Sequence, residues 1–77
     1  MDKRKKVHNI DTILLDYYVK RAGMNSQEVA DKLGISIGAY LNKRNGYSAF
    51  LVPEMYKLIE ILKIPDNGDI SQIFNPQ

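Results

Sequence analysis

Cysteine is absent from the 77-residue chain, which removes disulfides, thiolate metal sites and cysteine nucleophiles together and leaves packing alone to hold a core. There is a single histidine, His8; a metal site around it would have to gather carboxylates from distant positions, so His8 is expected at the surface or a helix edge. No apolar run reaches the roughly 20 residues of a bilayer-spanning helix. The basic start, MDKRKK, is followed by VHNIDTILLDYY, which is too polar for a signal-peptide core. A cytoplasmic protein that does not enter the membrane is expected. Neither a Gly-rich phosphate loop nor a nucleophile with an attendant base is present, so neither an enzyme nor a cofactor is expected. Asp66, Asn67 and Asp69 copy part of a calcium loop but lack its spacing and its closing glutamate.

What is present is enough for one domain: 44% of the residues are hydrophobic, and a chain of this length builds one modest core. The net charge is only +2, yet it is unevenly spread. Residues 1–49 hold nine Lys or Arg against five Asp or Glu, whereas residues 50–77 hold two against four. Lys3, Arg4, Lys5 and Lys6 form an unbroken run, and between residues 33 and 49 the only charged residues are Lys43 and Arg44. Basic clusters on a small domain are the footprint of a polyanion binder, although a terminal basic run is also what an ordinary solvated tail looks like.

Helical periodicity runs through the chain. Ile10, Ile13, Leu14, Leu15, Tyr17, Tyr18, Val19 and Ala22 recur at three and four, and Gly23 follows where a helix C-terminal glycine belongs. Asn25 and Glu28 form a capping box for a second helix over about 26–33, with Met24 stapled onto Val29 and with Val29, Ala30 and Leu33 facing inward. Gly34 closes it, and Ser36 caps a third helix over about 37–45, which Asn45-Gly46 ends. Pro53 lies in the first turn of a fourth helix that carries Met55, Leu58, Ile59 and Leu62 on one face and stops before Pro65. The turn PDNG leads to a short fifth helix at Asp69–Phe74, with a capping box of its own. No convincing strand is seen. Tyr17 and Tyr18 read as core-and-edge residues, not as a stacking platform.

The second and third helices meet in a tight corner at Gly34, and Ala30 suits the contact because a larger side chain would push them apart. This arrangement is a helix-turn-helix at about 25–45. The segment GMNSQEVADKLGIS resembles the G-L-T-Q-E-E-L-A-E-K-L-G-V-S stretch of Cro/CI-type, lambda-repressor-like helix-turn-helix regulators of phages and mobile elements. FLVPEMYKLIEILKI and DISQIF are similar to the fourth and fifth helices of the same regulators, so the resemblance spans the chain.

The resemblance implies an all-α bundle of five short helices, with a basic arm over 1–8 and the DNA-binding domain over 9–77. It also implies a sequence-specific transcriptional regulator of repressor or Cro-like type, working as a homodimer on a two-fold double-stranded DNA operator. Its length matches a Cro-sized regulator and equally the amino-terminal domain of a longer repressor. Position by position, Gln27, Ser36, Ile37, Gly38 and Asn42 approach the base edges, Asn42 suiting a bidentate contact to adenine and Ile37 a thymine methyl. Lys43, Arg44, Tyr47 and Ser48 match phosphate contacts, and Lys3, Arg4, Lys5 and Lys6 match an arm along the backbone.

Several positions depart from the pattern. Ser26 stands where a glutamine often opens the second helix. Val19 and Arg44 stand where an Arg–Glu ion pair often joins the first helix to the third, so that pair is expected to be missing. Lys43 stands at a usually apolar position. Either Lys43 and Arg44 lay their stems along the core and project their charges outward, or the third helix is rolled so that Leu41 faces inward. The competing reading is a protein-interaction module, such as an antirepressor, that keeps the fold and uses Ile37 and Leu41 to hold another regulator.

Overall fold

In the computed structural model of the protein, residues 8–76 are described. Each helix begins where a side chain can take up an unpaired backbone N–H. Asp11 stands in extended conformation before α1 (Thr12–Arg21) and accepts the Leu14 N–H at 3.0 Å. Asn25 and Glu28 close the expected capping box at the head of α2 (Ser26–Leu33), with the two bonds at 2.9 and 3.2 Å. Ser36 Oγ accepts the Ala39 N–H at 3.1 Å and starts α3 (Ile37–Arg44). At α4 (Val52–Leu62) the preceding Leu51 has no acceptor to offer, but Glu54 reaches back to the Leu51 N–H at 2.8 Å and Pro53 occupies the first turn. α5 (Asp69–Phe74) follows Gly68.

Three local expectations change. α1 starts at Thr12, two residues after the first periodic position, because Asp11 is the cap. Asn45 stays right-handed with φ −86°, and only Gly46 takes the left-handed turn, with φ +87°. α4 stops before Pro65 as expected, at Lys63, the one non-glycine residue with positive φ (52°) among the described residues. The capping box expected at α5 does not form. Asp69 is the helix's first residue and its carboxylate accepts the Tyr18 hydroxyl, while Gln72 donates to Asp11 Oδ2 at 3.0 Å. Both side chains expected to serve α5 locally instead tie it to α1.

The core gathers one face from each helix. Leu15, Val29, Ala30, Tyr40, Leu58 and Ile73 have no exposed surface, with Tyr18, Phe50 and Leu62 nearly so. Each such Leu, Ile, Val or Phe contributes on the order of 1.5–3 kcal/mol of burial free energy. α2 packs on α3 and α4, and α1 packs on α5 and α4. Tyr40, Phe50 and Phe74 form an aromatic chain beneath α3, with ring centroids 6.3 and 5.7 Å apart. The fold class is therefore the expected one: an all-α bundle of five short helices, with no strand among the described residues. No helix among them is long and apolar enough to cross a membrane.

Candidate nucleic-acid interface

The corner between α2 and α3 uses three residues. Gly34 ends α2 at φ +77°, Ile35 returns half-buried to the core with its N–H on the Ala30 carbonyl at 3.1 Å, and Ser36 caps α3. Ala30 is fully buried at this junction. A closely packed pair of helices requires a small side chain there, because an added methyl group in a full core forces neighbours off their rotamers.

α3 is held from beneath by Tyr40, which is completely buried while its hydroxyl finds no hydrogen-bond partner among the described residues. Burial, helped by the Asp16 carboxylate, pushes that hydroxyl up to about 12. With Tyr40 inward, the start of the helix faces outward. Ser36 and Gly38 are exposed, and Ile37 keeps 38% of its surface accessible. A Cβ built on Gly38 would meet nothing within 4 Å, so the bundle itself does not require glycine there. Gln27 is exposed on the first turn of α2 and donates its amide to Asp31 Oδ1 at 2.8 Å. Asn42 is half-buried, and its carbonyl accepts the Tyr47 N–H at 2.9 Å and the Ser48 N–H at 3.3 Å. The loop bearing these two residues is thereby folded back on α3, with Tyr47 half-buried and Ser48 exposed.

The two cations at the end of α3 do not project outward. Lys43 Nζ lies 2.8 Å from Glu54 Oε1 of α4 and donates to the Ala49 carbonyl at 3.1 Å; the Lys43 and Glu54 side chains are more than four-fifths buried. Burial raises the Glu54 pKa, but the Lys43 ammonium and the Leu51 N–H outweigh it, and the carboxyl ends below its ordinary value. Arg44 grips Asp16 of α1 with Nε and Nη2, the Nε–Oδ1 distance being 3.0 Å, and donates to Asn45 Oδ1 at 2.7 Å. The Asp16 hydrogen bond holds the guanidinium more firmly protonated than usual.

The ion pair that joins the first and third helices lies not at positions 19 and 44 but between Asp16 and Arg44, with its polarity reversed. Its acid is Asp16, one turn ahead of Val19. Comparing only position 19 with position 44 hides it, whereas scanning α1 for any carboxylate one turn away finds it. Glu54 is legible in hindsight as the third residue of a helix begun at Val52, where an acid is favoured. Leu41 packs half-buried against the core edge, beside Val19, Met24 and Arg44. Neither arrangement foreseen for α3 holds in full: Tyr40 fills the core, Leu41 covers its rim, and both cations turn sideways onto carboxylates.

Lys3, Arg4, Lys5 and Lys6 lie outside the described residues. The first described residue, His8, is exposed, and its N–H donates to the Gly46 carbonyl at 3.0 Å, so the chain following the basic run is fastened to the end of α3. Tyr18 is buried and Tyr17 is 56% exposed, their rings edge to face at 5.0 Å, as core-and-edge residues should be. No group of three His, Cys, Asp or Glu side chains among the described residues is placed to hold a metal ion. Compared with known proteins, the chain matches no family model and no curated protein.

Proposed function

We propose that the protein is a sequence-specific double-stranded DNA-binding regulator of the Cro/CI type, acting in the cytoplasm without catalysis, in which α2 and α3 form a helix-turn-helix. The observation that carries this reading is the combination of a rigidly supported α3 with an unencumbered outward start. Tyr40 and Ala30 anchor the helix from below, while Ser36, Ile37 and Gly38 present a slim surface of the width a major groove admits. Gln27, Ser36, Ile37, Gly38 and Asn42 face the bases, with Ile37 against a thymine methyl. Tyr47, Ser48 and the basic run Lys3, Arg4, Lys5 and Lys6 meet phosphates. Lys43 and Arg44 enter that set only by giving up Glu54 and Asp16.

A homodimer on a two-fold site belongs to the same reading. Half-sites one helical turn apart are separated by roughly 34–36 Å, and the domain measures 35 × 29 × 21 Å, so two adjoining copies have the width to span them.

One finding favours the protein-binding alternative. With Lys43 and Arg44 neutralised internally, the described part of α3 offers apolar Ile37 and Leu41 with little free positive charge. Selecting bound sequences from a random duplex library tests both readings. A recovered, two-fold sequence motif whose affinity falls with salt supports the regulator. Recovery of no motif, together with salt-independent retention of duplex, rejects it and leaves the protein-binding module.

A further inference from the structure

α4 carries more apolar surface than its own domain covers. Leu58 and Leu62 are buried and Met55 is half-buried beside them. Val52, Tyr56 and the half-buried Ile59 form a second stripe, at the i, i+4, i+7 spacing of a helix face that meets another helix. Val52 is 58% and Tyr56 71% exposed, and Leu51 just ahead of them is 59% exposed. Beside this stripe runs a groove of about 300 Å³ between α4 and α5, walled by Val52, Met55, Tyr56, Ile59, Ile70 and Phe74.

We propose that a second copy of this chain docks here, α4 against α4 across a two-fold axis, with Tyr56 of each copy seated in the groove of the other. A two-fold interface must be self-complementary, each copy offering both the projecting group and its receptor on one patch. This patch does so, since the protruding Tyr56 ring stands on the wall of an apolar groove. The area agrees as well. The exposed fractions of Leu51, Val52 and Tyr56 amount to roughly 300–400 Å² of largely apolar surface, and the rest of the groove wall is continuous with it. A stable interface buries about 800 Å² per partner, roughly 56–65% of it apolar. The patch therefore supplies more than half of the apolar part of one such interface, with the groove between α4 and α5 adjoining it.

The inference rests on the dimer in the reading above, but its test needs no DNA. Sedimentation equilibrium from about 1 μM to about 1 mM covers the range of weak homodimers. The wild-type chain should dimerise within it, and Tyr56→Lys and Val52→Lys should each weaken the dimer by roughly tenfold or more with an unchanged unfolding midpoint. Three results overturn the proposal: a monomer throughout, a dimer that both lysine variants leave intact, or a dimer lost with Ile13→Lys instead. A monomer whose groove binds a different protein, or is covered by residues 1–7, overturns it too. A Tyr56-dependent dimer that binds no DNA removes the regulator and keeps this interface; a monomer that binds a selected sequence does the reverse.

Discussion

Arg44 at the last turn of α3 holds Asp16 in the middle of α1 through two of its nitrogens, so the third helix is tied directly to the first, two places before it in the chain. The pair is partly exposed, the side chains retaining 23% and 42% of their surface, and such pairs stabilise by roughly 0.5–1 kcal/mol once solvent screening is counted. Asp16→Asn should therefore cost about that much in urea unfolding. It should also free the guanidinium for a phosphate, steepening the log–log salt dependence of DNA binding by about one unit. A variant that loses stability with the salt slope unchanged would show that Arg44 has no phosphate within reach.

Gly46 stands in a second such relationship. At φ +87° its Cα faces the His8 backbone so closely that a Cβ would lie 2.2 Å from the carbonyl oxygen. Any side chain there must displace backbone in addition to bearing the left-handed strain, so Gly46→Ala should destabilise by about 2–4 kcal/mol. Gly34→Ala, with an open surround and only the backbone penalty, should cost about 1 kcal/mol. Equal losses in the two variants, measured by thermal unfolding, would mean that the residue 8 segment yields freely.

These two relationships show what the sequence could and could not disclose. Helix existence and order were legible because caps and glycines act over three or four residues: Asn25 with Glu28, Ser36 before Ile37, and Gly34 at the corner all work locally. What stayed hidden depends on residues brought together from far apart. Asp16 with Arg44, Glu54 with Lys43, and Tyr18 with Asp69 are invisible to a periodicity argument. The same limit governs the candidate site. Exposure of Ile37 and Gly38 follows from helix phase, but the engagement of Lys43 and Arg44 could be seen only once α1 and α4 were in place.

Acid should weaken the fold partly through Glu54. Its folded-state carboxyl lies below the ordinary value of 4.5 because the Lys43 ammonium and the Leu51 N–H outweigh the cost of its burial. The folded form thus binds the proton less readily than the unfolded chain. Its contribution is complete above pH 4.5, shrinks as the pH falls below that, and is gone once the pH is below the depressed folded value. Asp11 acts in the same direction from its ordinary 3.8, held down by Gln72 and the Leu14 N–H. Urea unfolding at neutral pH and at about pH 3 should show a smaller acid loss in Glu54→Gln than in the wild type, by roughly 0.5–1.5 kcal/mol. An identical loss in both would assign the acid sensitivity to other carboxylates.

Gly38 separates what the fold needs from what a ligand needs. It lies inside α3 without positive φ, is exposed, and has nothing within 4 Å of where a Cβ would stand. Glycine costs roughly 0.5–1 kcal/mol relative to alanine in a helix interior, and Gly38 is the second residue of α3, so Gly38→Ala should raise stability by at most about that amount, and Gly38→Leu should at least retain it. At a surface that closes on DNA the consequence is opposite. In the proposed complex the backbone at residue 38 approaches the base edges only while no side chain intervenes, and an added methyl or isobutyl group would push α3 back from the contacts proposed for Asn42 as well as its own. Affinity for a selected duplex should fall by ~1–3 kcal/mol for Gly38→Leu and by less for Gly38→Ala, while the weak, salt-dependent retention of unrelated DNA changes little because phosphate contacts lie elsewhere. Stability and affinity moving in opposite directions is the signature of a residue kept small for its partner. If both variants gain stability and still bind the selected duplex as tightly as the wild type, the start of α3 does not enter the groove, and Ile37 with Leu41 must be tested as a protein-binding surface instead.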